Sequence, residues 1–198
     1  MQTAMKLFSS RALLYLGMGA VVAYGSLFSF GLLAGPLIGG FLNVALLDKR
    51  TARAPGLGDL AAGFRNLGSL LLLSLLLVLG WVGTGVLLPA MVAFAWWTCI
   101  PALALLVSLA TWWMYVPALI VDAGMGLWGA MRESRVRVTT RDGFLPRLGF
   151  TVCVFLLPPL AIFGLSVVLP PAGLLHYLVC PFQLLALASA YDDDPVAS

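Results

Sequence analysis

The chain has 198 residues, is 62% hydrophobic with a mean hydropathy of +1.04, and carries only 10% charged residues. Soluble domains average about 25% charged residues; a chain this apolar cannot cover itself with polar surface in water, so its solvent is lipid. The formal net charge of +3 indicates no nucleic-acid role, and where the charges fall says more than their sum.

The opening "MQTAMKLFSSRALLYLGMGAVVAYGS" sets Lys6 and Arg11 before a long apolar run. That run continues beyond a signal-peptide core of roughly 7–15 residues and reads as an uncleaved first span. Charges divide the chain into three uncharged blocks, 12–47, 66–121 and 148–191, counting His176 as neutral. A crossing takes about 20 helical residues, so the second and third blocks hold two crossings each, while the first is long for one and tight for two. All 11 Lys and Arg fall in the head (Lys6, Arg11), in 48–65 (Lys49, Arg50, Arg53, Arg65) and in 122–147 (Arg132, Arg135, Arg137, Arg141, Arg147). Such residues collect in cytoplasmic loops. If all three clusters are cytoplasmic, every block crosses an even number of times.

The predicted fold is therefore a single all-α domain over 1–198, a polytopic transmembrane helix bundle. It has about six crossings as three hairpins, both termini cytoplasmic, and short interfacial amphipathic helices at 48–65 and 122–147. The first hairpin would turn near Ser29–Gly35, where Gly31, Gly35, Gly39 and Pro36 permit a break and close packing. One tilted or kinked helix over 12–47, with five crossings and an outside N-terminus, is the alternative.

In the second block, Gly80, Gly83, Gly85 and Pro89 precede Trp96 and Trp97, a pattern that fits a span end and an interfacial aromatic belt. The third block turns near "VVLPPAG", at Pro170, Pro171 and Gly173. Each returning helix stops at an aspartate, Asp48, Asp122 or Asp192. Cys99, Cys153 and Cys180 lie scattered in apolar blocks and read as small buried or lipid-facing residues.

The segment "VPALIVDAGMGLWGAMRESRVRV", 116–138, turns from apolar to basic. As a helix, 126–138 places Leu127, Met131 and Val138 on one side with Trp128 beside them, and sets Arg132, Glu133 and Arg137 away from it, with Arg135 toward the border. Such a helix can lie in the headgroup plane, its apolar side in the acyl boundary. Arg132, Arg135, Arg137, Arg141 and Trp128 are then the candidate contacts to anionic lipid headgroups, each basic residue contributing about 1 kcal/mol. Gly124 and Gly126 would let the chain bend, and Asp122 would cap the new helix or bind a loop amide. "GDLAAGFRN", 58–66, with Leu60, Phe64 and Leu67 at helical spacing, is a shorter companion.

At these residues the chain resembles a broad family of bacterial integral-membrane proteins of uncharacterised function, related to the membrane domain attached to some glycerophosphoryl diester phosphodiesterases. The resemblance spans 35–193 and rests on "GPLIGG", "GDLAAGFR", "PALIVDAGMGLWGAMRESRVRVT" and "ASAYDD". In the central motif it covers Pro117, Leu119, Val121, Asp122, Gly124, Gly126, Ala130, Met131 and Ser134. It implies a six-helix bundle with interfacial elbows in the bacterial inner membrane, and it implies no catalytic residues. The phosphodiesterase chemistry of the related proteins belongs to a separate soluble domain. The compact first hairpin and the long "LLPAMVAFAWWTCIPALALL" depart from the family pattern.

The sequence holds no HExxH, CxxC or Walker-type loop. The GxGxxG at Gly124, Gly126 and Gly129 follows a membrane helix rather than a Rossmann strand. His176, the single histidine, is a candidate haem or pigment ligand or an interfacial side chain bonded to water or backbone. No Asp, Glu, Lys or Arg lies within a block, which argues against ion-coupled transport. Asn43 and Gln183 are expected to form interhelical hydrogen bonds. No enzyme activity, metal or cofactor is expected. The expected function is a structural or accessory subunit packing against a larger membrane complex or against itself. The alternative is lipid handling or small-molecule transport using the basic elbows, and a pigment-binding or haem-binding subunit is a third reading.

Overall fold

A computed structural model describes residues 2–51, 55–95, 97, 99–140, 143–169 and 175–193. Among the described residues every regular element is helical. The order is α1 (Gln2–Ser10), α2 (Ala12–Phe28), α3 (Ala34–Thr51), a 3-10 segment (Leu57–Phe64), α4 (Leu67–Ala95), α5 (Cys99–Trp112), α6 (Val116–Asp122), α7 (Leu127–Thr140), α8 (Phe144–Thr151), a π-helical turn (Val152–Leu156), α9 (Leu157–Val168) and α10 (Leu175–Asp192).

The first block folds as two helices, α2 and α3, that pack on one another. Between them the chain turns at 29–33, where Phe30 (φ 52) and Gly31 (φ 83) take left-handed backbone. Ser29 holds the turn: its hydroxyl donates to Ser26 O at 3.1 Å and accepts the Leu33 amide at 3.0 Å. At the start of α3 the Gly35 amide has no partner within its own helix. The Ser74 hydroxyl of α4 accepts it at 2.6 Å while donating to Leu70 O at 3.0 Å.

"GPLIGG" and "GDLAAGFR" meet in space. Gly63 of the 3-10 segment lies against the Pro36 carbonyl and the Gly40 backbone, and Gly40 lies against the Leu60 carbonyl. No side chain fits between two backbones this close. The chain then bends by 84° between Leu57–Phe64 and Leu67–Gly80.

The other breaks follow from proline. Pro117 has no amide to give and its ring crowds the preceding turn, so α5 ends at Trp112 and α6 restarts at Val116. Ser134 of α7 bridges this break, donating to Trp112 O at 2.7 Å and accepting the Tyr115 amide at 3.3 Å. Further on, Pro158 leaves the Val154 carbonyl without its i+4 donor, beside the π-helical turn. The Gln183 amide of α10 donates to that carbonyl at 2.6 Å. This is the interhelical role expected of Gln183, and it is how membrane helices tolerate proline.

Among the described residues two helices are long and apolar enough to cross a membrane, Ile100–Asp122 and Phe144–Ser166, or three if the bent pair at 57–80 counts as one span. That is fewer than the six expected crossings. For α2 and α3 the shortfall has a physical cause. The apolar α2 has only 17 residues, about 26 Å at 1.5 Å per residue, against a hydrocarbon core of roughly 30 Å. α3 carries Asp48, Lys49 and Arg50 within its 18 residues.

Among the described residues the fully buried large side chains are Tyr15 and Met18 on α2, Phe41, Leu42 and Val44 on α3, Leu70 on α4, Tyr115 at the α5–α6 break, Val116, Leu119 and Ile120 on α6, Val138 on α7 and Leu185 on α10. Most of them lie within two helical turns of Asp48, Asp122 or Tyr191. The tight core therefore sits at the end of the bundle where the charges are.

Candidate functional site

The three aspartates that end the returning helices come together at that end. Asp48, in the last turn of α3, is 5% exposed and bonds Arg11 Nη1 at 2.8 Å and the Tyr15 hydroxyl at 2.7 Å. Arg11 stands at the α1–α2 break, so this pair ties the head of the chain to α3.

Asp122 ends α6 and Asp192 ends α10, and Arg50 of α3 holds both. Arg50 Nη1 and Nη2 donate to Asp122 Oδ1 at 2.6 Å and Oδ2 at 3.1 Å, and Nε donates to Asp192 Oδ1 at 2.7 Å. A planar fork of fixed donors suits this double grip. Lys49 Nζ lies 3.1 Å from Asp192 Oδ2 and 2.6 Å from Asp193 Oδ1. The Tyr191 hydroxyl donates to Asp122 Oδ2 at 2.9 Å. The hydrogen bond to Asp122 raises the Arg50 pKa, against an opposing effect of burial. At Asp192 burial acts to raise the pKa, but the bonds from Arg50 and Lys49 outweigh it and the net value lies below the ordinary 3.8.

The second basic segment joins the same cluster. Arg137 lies over the Tyr191 ring at 5.2 Å and bonds Glu133 Oε1 at 3.0 Å. Arg147 Nη1 donates to the Tyr115 hydroxyl at 2.8 Å, and Tyr115 stacks edge-on to Tyr191 at 5.8 Å. Head, first loop, second loop and tail are thus joined by side chains at one end of the bundle.

Several expected site residues stand elsewhere than the sequence suggested. Leu127, Met131 and Val138 are buried with Ala130 and Ser134 against α5 and α6, not turned into an acyl boundary. An amphipathic stripe needs an apolar neighbour, and here the bundle supplies it. Arg137 is only 8% exposed and serves the internal cluster rather than a headgroup. Asp122 binds Arg50 and Tyr191 rather than a loop amide. Arg132 is exposed, and Arg135 is exposed with its guanidinium 5.2 Å from the Trp112 ring centre. Trp128 is 72% exposed. Gly124 takes the left-handed backbone (φ 65) that the elbow requires, whereas Gly126 does not. Arg141 and the His176 side chain lie outside the described residues. Among the described residues no three His, Cys, Asp or Glu are placed to hold a metal.

Beside the cluster is a cavity of about 330 Å³ lined by Asn43, Arg65, Asn66, Asp122 and Gly124 among others. Asn66 Nδ2 donates to Ile120 O at 2.6 Å, satisfying a carbonyl at the end of α6. Asn43 Nδ2 makes a long 3.5 Å contact to Asp59 O. Arg50, Tyr191, Tyr115, Arg147 and the cavity were not read from the sequence; adjacency of Lys49 and Arg50 to the first terminal aspartate was the available signal. Comparison with protein-family models, with curated proteins and with solved structures yields no match.

Proposed function

We propose that the chain is a non-catalytic integral membrane protein of the bacterial inner membrane, a structural or accessory subunit that packs against a larger membrane complex or against itself. The observation that carries this reading is how the polar groups are used. The carboxylates of Asp48, Asp122 and Asp192 are all taken up by Arg and Lys partners that hold helices together, while long apolar faces point outward. Of the span Phe144–Ser166 only 12% is buried, and α4 and α5 expose Leu75, Leu77, Leu79, Ile100, Leu103 and Leu105. The reading includes three hairpins, α2–α3, α4 with α5–α6, and α8–α9 with α10, the charged end and both termini being cytoplasmic. The resemblance to the phosphodiesterase-associated membrane family supports this arrangement and brings no catalytic residue with it.

Native mass spectrometry after mild extraction from the native membrane tests the proposal. Stoichiometric protein partners or a defined homo-oligomer are the expected result, and a free monomer alone would overturn it. A second reading, lipid handling at the membrane surface, is favoured by the outward Trp128 flanked by exposed Arg132 and Arg135. Replacing both arginines with glutamine should weaken binding to anionic liposomes, and unchanged binding removes that reading.

A further inference from the structure

We propose that the cavity among Asn43, Arg65, Asn66 and Gly124 binds a phosphate-bearing anion, supplied by a lipid headgroup or by a free phosphate. The site is separate from the outward α7 surface and shares no residue with it.

Charge and unused hydrogen-bonding capacity suit the cavity to such a ligand. Two charged residues line the cavity, Arg65 and Asp122. Both oxygens of Asp122 are engaged by Arg50, which it shares with Asp192, and one also by Tyr191, so its acceptor atoms are already committed to side-chain donors. Arg65 has no ion-pair or hydrogen-bond partner for its guanidinium among the described residues. Among the described residues lining the cavity it is the charged side chain whose donors are uncommitted. A guanidinium presents five donors in a planar fork that matches phosphate oxygens. The two asparagines commit Nδ2 to Ile120 O and Asp59 O, which leaves their Oδ1 atoms as acceptors for hydroxyl groups. A cation beside two amide acceptors fits a phosphate ester bearing hydroxyls better than a bare cation or an apolar ligand. The volume of about 330 Å³ falls in the range, roughly 300–1,000 Å³, of small-ligand sites. The cavity also lies at the charged end, where headgroups of a surrounding leaflet are within reach.

The test uses the delipidated full chain in detergent. Native mass spectrometry follows titration with phosphatidylglycerol and with phosphatidylcholine, and calorimetry follows inorganic phosphate. The expected result is saturable one-to-one binding that prefers phosphatidylglycerol or, for a free anion, saturable phosphate binding with no lipid preference. In either arm Arg65→Gln weakens binding roughly tenfold or more, the loss expected for a charged hydrogen bond, and Arg65→Lys restores part of it. Circular dichroism establishes that the exposed Arg65 variants remain folded. The Arg132→Gln/Arg135→Gln variant leaves this binding within about twofold, the range of weak surface ion contacts, because neither arginine lines the cavity. Equal binding by the parent chain and Arg65→Gln overturns the proposal, as does binding lost only in the double variant, which would assign the anion to the α7 surface.

Discussion

Arg50 makes three hydrogen bonds to carboxylates that lie 72 and 142 residues further along the chain. Its side chain is partly exposed, at 42%, so each pair is worth less than a buried one. A double-mutant cycle with Arg50→Gln and Asp122→Asn should report a coupling of about 1 kcal/mol; additive losses would mean the pair is ornamental. Asp192 gives a pH signature. Its folded pKa is depressed, so its contribution is complete above the unfolded value of 3.8 and is lost as pH falls through the lower folded value. Thermal unfolding of the parent chain and Asp192→Asn, compared between about pH 6 and pH 3, should show a gap that closes only below 3.8. A gap that closes near neutrality would contradict the assigned ion pairs.

Among the elements, the π-helical turn and the 3-10 segment are where side chains or bare backbone repair what helices leave undone. Gln183→Leu keeps the volume of the side chain but strands the Val154 carbonyl, and it should lower stability by roughly 1–2 kcal/mol in detergent unfolding. Gly63→Ala drives a methyl into the Pro36 carbonyl and Gly40 and should cost roughly 1–3 kcal/mol. Gly58→Ala in the same segment faces open space and serves as the control. If both glycine variants unfold together with the parent, the backbone contact is not structural. Much of this level was legible. Charge-free runs mark out the apolar helices α2, α4, α5 and α9 but not the charged α7, and the Gly and Pro cluster places the turn at 29–33 within Ser29–Gly35. The breaks at 113–115 and 152–156 were not anticipated, although Pro117 and Pro158 stand beside them. What covers an apolar stripe was not legible. Leu127, Met131 and Val138 have the same spacing whether lipid or protein meets them, and only the tertiary fold, with Ser134 anchored to Trp112 O, decides for protein.

In the molecule as a whole, packing and charge among the described residues are concentrated at one end, and away from it α4 and α5 expose apolar side chains such as Leu77, Leu79, Ile100 and Leu103. The three terminal aspartates could be read as a sequence pattern, but their partners could not, because pairs so distant leave no local trace. Nor did the cavity have a sequence signature, since Asn43, Asn66 and Gly124 come from three separate segments. Threading remains measurable directly. Reporter fusions at 57 and 140 are expected on the cytoplasmic side and a fusion at 32 on the other; a cytoplasmic signal at 32 would reduce the first hairpin to a structure that enters and leaves by the same face.

The long intervals spanned by Arg50 also impose an order in time. A ribosome adding roughly 5–20 residues per second delivers Asp122 about 4–14 s after Arg50, and Asp192 later still. While α3 is young, Arg50 is a cation without these two carboxylates, and in the proposed threading it then reports its full charge to whatever sorts loops by sign. Only when α6 and α10 arrive do its carboxylate partners exist. In that threading the same guanidinium is a topological signal during synthesis and a latch once synthesis is complete.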